Sequence, residues 1–476
     1  MKDTIVLYPA YGSGHLMSMV ELGKLILTHH PSFSIKILIL TPPNNKNNND
    51  STTQYIASTS NKFPSINFHF IPSISITLTL PPHLYTLELS PRSNHYVHHI
   101  LQSISKTTNL KAVILDFLNF SASQVTNTLE IPTYFYYTSG ASLLSLFLHF
   151  PTFHQKSTKP IKDFDIHTPI DLPGLPRLSV DDYPNEAKDP SSQSYHILLE
   201  SAKSLRESDG IIVNTFDELE RKAIKALRDG LCVPEGITPM IFCIGPVLSS
   251  LYEDENICMS WLDSQPSQSV VLLSFGSMGR FSKAQLNEIA LGLEKSKQRF
   301  LWIVRSELDL DELSLNELLP EGFLERTKEK GMVVRNWAPQ RTILNHDSIG
   351  GFVTHCGWNS ILEAICEGVP MITWPLYAEQ KLNRLILVQE LKIALKLNES
   401  EDGFVNGTEL AERVMELMES DKGKEIREKI LKMKISAKEA IGGGGSSLVD
   451  LKKLGDSWKE HDSWNNLSPN SPFLFR

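Results

Sequence analysis

Short β-branched and apolar runs alternate with segments of helical periodicity along most of the chain. In the first half these runs include TIVLY at 4–8, AVIL at 112–115 and GIIV at 210–213. The second half repeats the pattern, for example in VVLLSF at 270–275 and GMVVRNW at 331–337. Strands that alternate with helices form parallel sheets joined by right-handed crossovers. The alternation therefore predicts an α/β protein.

The chain has 476 residues, which is too long for one hydrophobic core and suits two domains. A turn signal, Gly245-Pro246, separates the two strand-rich halves. We predict a first domain at 1–240, a linker at 241–250, a second domain at 251–441, a hinge and final helix at 442–460 that pack back on the first domain, and a disordered tail at 461–476.

Charge and cysteine content exclude several classes of function. A net charge of −9 and an isoelectric point near 5.9 argue against a nucleic-acid partner. The five cysteines are scattered without a C-x-x-C pair, which predicts reduced thiols and no zinc site. The chain lacks a leader-like start, and polar residues interrupt its most apolar stretch, 134–150. We expect a cytoplasmic protein without membrane insertion, and a monomer.

A glycine-rich turn, YPAYGSGHLM, joins the first predicted strand to the first helix. Its G-x-G resembles a dinucleotide-binding fingerprint, but Met17 stands at the third glycine position and the strand at 34–40 ends in TPP instead of an acidic residue. A NAD-dependent oxidoreductase is therefore disfavoured. The turn leaves His15 at the carboxyl end of the first strand without an evident packing role. Asp116 ends the strand AVIL at the same predicted edge.

Three strand–turn–helix units in the second half place small polar residues at the same kind of edge: SFGSMG at 274–279, VTHCGWNS at 353–360 and TWPLYAEQ at 373–380. Open α/β sheets bind ligands at this edge. Helix N-termini suit a diphosphate, a tryptophan face suits a base, and carboxylates and amides suit sugar hydroxyls. The candidates are Ser277, His355, Asn359 and Ser360 for the diphosphate, Trp337 for the base, Glu363 for the ribose, and Glu379 and Gln380 for a sugar.

The segment WAPQRTILNHDSIGGFVTHCGWNSILEAICEGVPMITWPLYAEQ, residues 337–380, is similar to the donor-binding signature of plant UDP-dependent glycosyltransferases. YGSGHL in the first turn, YYTSGAS at 136–142 and CIGPV in the predicted linker extend the resemblance over most of the chain. Stretches such as VELGKLIL and DDYPNEAKDP resemble the legume (iso)flavonoid 7-O-glucosyltransferases in particular. One departure is Ser18, which stands where many relatives have proline.

The resemblance implies the GT-B fold, in which two Rossmann-like domains face a cleft. The acceptor then lies in the first domain and the UDP-sugar mostly in the second. The implied roles are as follows: Trp337 stacks on uracil and the Ala338 backbone bonds its edge, Gln340 and Glu363 hold the ribose, Ser277, His355, Asn359 and Ser360 contact the diphosphate, and Thr138, Trp358, Glu379 and Gln380 read the sugar.

The resemblance also gives His15 and Asp116 a catalytic role. His15 accepts the proton of the acceptor hydroxyl, which suits a neutral imidazole near pH 7, and Asp116 fixes its tautomer. Glucose passes from the co-substrate UDP-glucose to a phenolic hydroxyl with inversion, giving a β-O-glucoside without a cofactor or a metal. In the alternative interpretation, Asp116 caps a helix predicted at 120–129 and His15 is structural.

The implied acceptor is a flavonoid or isoflavonoid. Its pocket is expected among aromatic and apolar residues of the first half that suit a flat ligand, namely Phe117, Phe120, Leu143 and Phe147. A competing hypothesis is a catalytically inactive protein that binds a UDP-sugar or a flavonoid on the same fold. The intact His15 and Asp116 argue against it.

Overall fold

The fold contains two parallel sheets, each flanked by helices. The computed structural model describes residues 1–41, 50–74, 85–165, 167–251, 256–307, 313–400 and 402–465. Every strand pair in the described chain is parallel, as the alternation of strands and helices predicts. The final helix was expected to end at residue 460, but it continues to Asn465, so the first five residues of the predicted disordered tail are helical. The rest of that predicted tail lies outside the described residues.

The first sheet has seven strands in the order β3-β2-β1-β4-β5-β6-β7. In chain order these strands are β1 (Asp3–Tyr8), β2 (Ser34–Ile39), β3 (Ile66–Phe70), β4 (Asn109–Asp116), β5 (Thr133–Tyr137), β6 (Gly210–Val213) and β7 (Met240–Cys243). The central strands are almost fully buried, because helices cover both faces of the sheet.

The second sheet has six strands in the order β10-β9-β8-β11-β12-β13. They are β8 (Val270–Ser274), β9 (Arg299–Val304), β10 (Gly331–Arg335), β11 (Ile349–Thr354), β12 (Met371–Thr373) and β13 (Ala394–Lys396). In both sheets the strand order reverses beside the first strand, between β1 and β4 in one and between β8 and β11 in the other. Ligands bind at such reversal points, beyond the carboxyl ends of the strands.

Most helices lie between successive strands, and the last three follow β13. They are α1 (Ser13–His29), α2 (Asp50–Lys62), α3 (Tyr85–Thr107), α4 (Ser123–Thr128), α5 (Ala141–Lys156), α6 (Gln193–Arg206), α7 (Arg221–Arg228), α8 (Ile257–Asp263), α9 (Lys283–Ser296), α10 (Leu315–Leu318), α11 (Phe323–Thr327), α12 (Gln340–Leu344), α13 (Trp358–Glu367), α14 (Gln380–Leu385), α15 (Gly407–Glu419), α16 (Asp421–Ala440) and α17 (Ser446–Asn465). Within the described part of the chain, no helix has the length and apolar character of a membrane span.

Short helical turns complete the fold. They are 3₁₀ turns at Phe117–Ala122, Ile161–Asp163, Val180–Asp182 and Asn185–Ala187, and a π-helical turn at Ile386–Glu390. The first of these directly follows β4, so it begins at the edge where Asp116 ends the strand.

The structure differs from the prediction at the linker. Residues 241–243 were expected to begin the linker, but Met240–Cys243 pairs with β6 as the edge strand of the first sheet. The strand has only four residues and lies next to Gly245-Pro246, so the turn signal of this pair dominates the local sequence pattern. The connection between the sheets therefore begins after Cys243.

The final helix α17 packs on the first sheet. Leu454 and Trp458 are fully buried in one cluster with residues of β1, β2 and β4. The Tyr134 and Ser457 hydroxyls lie 2.9 Å apart, and Asp450 accepts a hydrogen bond from the Cys243 backbone at 3.0 Å. These contacts tie the C-terminal helix to the first sheet, although the chain before it belongs to the second.

Candidate active site

His15 lies in the first turn of α1, directly beyond the carboxyl end of β1. Its Nδ1 is 2.7 Å from Asp116 Oδ2 and 3.3 Å from Thr138 Oγ1. Since a carboxylate only accepts hydrogen bonds, Nδ1 carries the proton and Nε2 keeps its lone pair. The His15 side chain is 29% exposed whereas that of Asp116 is fully buried, so a ligand reaches the ring from the edge opposite the carboxylate.

Asp116 uses its two oxygens for two different partners. Oδ2 contacts His15, while Oδ1 accepts the backbone N–H of Leu118 at 3.1 Å and caps the 3₁₀ turn Phe117–Ala122. Asp116 therefore caps the turn and contacts His15 at the same time, so the two interpretations do not exclude each other. The cap begins at residue 117 instead of the predicted 120, because the chain turns immediately after the strand.

The charge of His15 is set by opposing effects. Burial favours the neutral ring, but the carboxylates of Asp116 and Glu379 outweigh it and raise the pKa of His15 above its ordinary value. Glu379 follows β12 in the second sheet, so this coupling crosses from one sheet to the other. The arrangement stabilises an imidazolium ion, which is the form that His15 takes after it accepts a proton.

Two side chains join the sheet edges across the cleft. Ser139, in the turn after β5, donates its hydroxyl to Glu379 Oε1 at 3.1 Å. Burial raises the pKa of Glu379, and the Ser139 hydroxyl and His15 oppose that rise. Thr138 and Glu379, both predicted to read a sugar, therefore lie near His15. Ser139 was not predicted as a site residue, because its only distinguishing feature in the sequence is its position next to Thr138.

Gln380 is buried at the start of α14, with part of its side chain already engaged. Its Oε1 accepts the backbone N–H groups of Leu376 at 2.7 Å and Tyr377 at 3.0 Å. We expected both the amide oxygen and the amide nitrogen to be available for sugar hydroxyls. The oxygen instead stabilises the turn that carries Glu379, and the Gln380 side chain also hydrogen-bonds the side chain of Tyr377.

Trp358 lies at the start of α13, where its indole contacts the first domain. Its indole Nε1 donates to the backbone carbonyl of Asn214 at 2.8 Å, and the side chain is only 5% exposed. A Cβ at Gly140 would lie 2.7 Å from Trp358 Cη2, so only glycine fits beside the ring. The indole therefore joins the second sheet to the first, and its N–H is already engaged, so we expect Trp358 to meet the sugar through its backbone.

Glu220 is a buried carboxylate that sequence reasoning did not identify. It accepts the backbone N–H groups of Ala141 at 2.7 Å and Ser142 at 2.8 Å, and so caps α5 from a distant part of the chain. Burial raises its pKa. Because α5 carries Leu143 and Phe147, this cap fixes the helix behind the predicted acceptor pocket.

The predicted ribose-binding residues form one hydrogen-bonded group. Gln340 Nε2 donates to Glu363 Oε2 at 2.7 Å and to Ser360 Oγ at 2.9 Å. Burial raises the pKa of Glu363 to about 7, although the bond from Gln340 opposes the rise. A hydroxyl donor from a ribose would favour the ionised carboxylate and lower that pKa again.

His355 follows β11 at the reversal point of the second sheet. The ring is 6% exposed, and its Nδ1 has no hydrogen-bond partner among the described residues. Burial lowers the pKa of His355 to about 4. The ring is therefore neutral near pH 7, and it can offer the predicted diphosphate an N–H donor but no positive charge. Gly357 packs closely against this ring, because a Cβ added at Gly357 would lie 2.4 Å from His355 Nε2.

The remaining donor candidates line the same edge. Trp337 exposes 58% of its surface after β10, whereas Ala338 is buried beside it. Ser277 is exposed in the turn after β8, where its carbonyl accepts a bond from the Arg305 guanidinium at 2.8 Å. Asn359 lies in the first turn of α13. Among the described residues, no cluster of three or more His, Cys, Asp or Glu could hold a metal ion.

The predicted acceptor residues lie together beside Asp116. The Phe117 ring is 4.7 Å from that of Tyr137 and 6.2 Å from that of Phe147. Phe117 and Phe120 are partly buried, whereas Leu143 and Phe147 belong to the hydrophobic core. The first pair can therefore contact a ligand directly, and the second pair supports the wall from behind.

Comparisons with known proteins identify the family of the chain. The family model described as UDP-glucoronosyl and UDP-glucosyl transferase matches residues 222–429. The chain is 59% identical to isoflavone 7-O-glucosyltransferase 1 of Glycine max and 58% identical to UDP-glycosyltransferase 1 of Pueraria montana var. lobata. Each alignment covers 97% of this chain and 100% of the relative.

Solved structures are similar over nearly the same length. The UGT2 protein of Phytolacca americana, complexed with UDP-2-fluoro-glucose and pterostilbene, gives a TM-score of 0.86 at 37% identity, covering 96% of this chain and 100% of that one. UGT71G1 of Medicago truncatula, complexed with UDP-glucose, gives 0.82 at 34% identity, covering 96% and 98%. These similarities confirm the GT-B fold. The chain belongs to the plant family of UDP-dependent glycosyltransferases.

Proposed function

We propose that this glycosyltransferase transfers glucose from UDP-glucose to a phenolic hydroxyl of a flavonoid or isoflavonoid, giving a β-O-glucoside. The observation that carries the proposal is the 2.7 Å contact between His15 Nδ1 and the buried Asp116, at the edge that faces Glu379. Support for the acceptor class comes from the 59% identity to an isoflavone 7-O-glucosyltransferase.

In this reaction His15 acts as the general base. The acceptor oxygen attacks the anomeric carbon, and its proton moves to Nε2 of His15. Asp116 holds the proton of Nδ1 and stabilises the imidazolium ion that forms. The bond from the anomeric carbon to the diphosphate oxygen breaks at the same time, and the electron pair leaves with UDP. Attack from the face opposite UDP inverts an α-linked donor to a β-glucoside.

The second sheet holds the donor in this proposal. The exposed face of Trp337 stacks on uracil, and the Ala338 backbone bonds its edge. Gln340 and Glu363 bind the ribose. Ser277, the amides at the start of α13 and the neutral His355 surround the diphosphate, where N–H groups aimed at the leaving oxygens stabilise the developing charge. Glu379 and Gln380 read the glucose hydroxyls, together with Thr138 from the first sheet.

A direct test is turnover of UDP-glucose with a panel of phenols. We expect UDP release with flavones or isoflavones, and product analysis by NMR should show a β-anomeric linkage. UDP-glucose binding without turnover of any phenol would instead indicate an inactive binding protein. Turnover that retains the α configuration would contradict the inverting mechanism.

A further inference from the structure

Asn119 is a fully buried residue that joins the two turns on which His15 and Asp116 depend. It lies three residues after Asp116, in the 3₁₀ turn Phe117–Ala122, where its own backbone departs from helical geometry (φ −91°, ψ 22°). Its Nδ2 donates to the backbone carbonyls of Tyr8 and Pro9, each at 2.9 Å.

The two carbonyls belong to the turn that leads to His15. Tyr8 is the last residue of β1, where it pairs with Leu115 of β4, and Pro9 begins the turn into α1. The pairing of β1 with β4 ends at this point, and the Asn119 amide donates to the carbonyls of Tyr8 and Pro9. Buried carbonyls without a donor are costly, so this one side chain satisfies two groups at once.

We propose that Asn119 is a positioning residue for catalysis, which holds the β1–α1 turn against the β4 turn so that His15 and Asp116 stay in hydrogen-bond contact. Asn119 touches neither the substrate nor the reacting atoms. It acts through the distance between the two turns, and the 2.7 Å contact of the pair depends on that distance. The inference rests on the proposed base role of His15.

The test is Asn119→Leu, which keeps the approximate side-chain size but removes both donors. We expect kcat to fall about 10- to 100-fold, since displacement of a catalytic group by about 1 Å has effects of this size. The KM for UDP-glucose should change less than about twofold, because the donor residues lie mainly on the other sheet. Asn119→Ser, which keeps one donor, provides a milder variant if the leucine variant does not fold.

A pH profile separates positioning from general stability. The charged groups that act on His15 are Asp116 and Glu379, and their carboxylates raise its pKa. If the contact between His15 and Asp116 lengthens in Asn119→Leu, the pKa of His15 falls. The acid limb of the profile of kcat against pH then moves to lower pH, and the plateau value of kcat is reduced. A loss of stability alone would lower the melting temperature without moving this limb.

Asn94→Leu is the matched control. Asn94 Nδ2 donates to the Ser121 carbonyl at 3.0 Å, at the far end of the same 3₁₀ turn, and its Oδ1 is buried without a partner among the described residues, as is that of Asn119. We expect Asn94→Leu to lower the melting temperature but to leave kcat and the acid limb unchanged.

Equal losses of kcat in the two leucine variants, or an unmoved acid limb in Asn119→Leu, would overturn the inference. His15→Ala is measured alongside them. Near-normal turnover in that variant would refute the base assignment itself, whereas a large loss there with an unaffected Asn119→Leu would refute only the positioning role.

Discussion

Glu363 should make donor binding depend on pH. Burial raises the pKa of its carboxyl to about 7 in the ligand-free protein, so roughly half of the molecules carry a neutral carboxyl at that pH. Ribose hydroxyls donate to the ionised form and should return the pKa toward its ordinary value. Binding should therefore release a proton below pH 7, and the affinity should fall as the pH falls.

The size of the effect follows from linkage. If only the ionised carboxyl binds the ribose, the apparent Kd is multiplied by one plus the ratio of protonated to ionised carboxyl. With a pKa of about 7 this factor is roughly 11 at pH 6 and close to 1 at pH 8, so Kd should differ about tenfold.

Calorimetric titration of UDP-glucose at the two pH values measures this ratio. UDP-glucose is the better probe than UDP, because its diphosphate is esterified at both ends and does not titrate in the range. Glu363→Gln is the control: it should bind more weakly than the wild type at pH 8 and show a nearly flat pH dependence. If Glu363→Gln shows the same Kd ratio as the wild type, Glu363 is not the group whose titration controls donor binding.

Three further predictions concern the donor and the contact between the sheets. Gln380→His should lower kcat/KM for UDP-glucose about tenfold, because it removes the side-chain amide, whose nitrogen is a donor and whose oxygen accepts the turn N–H groups. A wild-type preference for UDP-galactose or UDP-glucuronate would contradict the glucose assignment. Activity should survive exhaustive EDTA treatment, because helix N-termini and N–H donors stabilise the diphosphate, and a loss that Mg²⁺ or Mn²⁺ restores would overturn this. Trp358→Phe should lower the free energy of unfolding in urea by about 1–3 kcal/mol, since the buried Asn214 carbonyl loses its donor. An unchanged unfolding curve would show that the indole bond contributes nothing.

Much of the architecture could be predicted because it follows from local patterns. β1, β4, β8 and β11 are apolar, β-branched runs followed by turn residues, and parallel pairing brings their carboxyl ends together. That rule placed His15 and Asp116 at one edge, although 101 positions separate them in the sequence. β7 was missed because its four residues adjoin a stronger turn signal.

The finer parts of the site could not be predicted, because they depend on how distant turns and the two sheets meet. Asn119 reaches carbonyls 110 and 111 positions away, and Ser139 reaches Glu379 across 240 positions. No local pattern marks such bonds. The neutral state of His355 likewise follows from its burial in the folded chain, and a turn sequence alone does not reveal burial.

The central claim is that His15 is the general base, oriented by Asp116. The decisive measurement is kcat for His15→Ala, Asp116→Ala and the double variant, with the Kd for UDP-glucose determined in parallel. We predict a loss of about 10²–10⁴-fold in His15→Ala, a smaller loss in Asp116→Ala, a double variant little worse than His15→Ala, and an almost unchanged Kd. Near-normal turnover in His15→Ala, with phenols across a range of acidity, would contradict it.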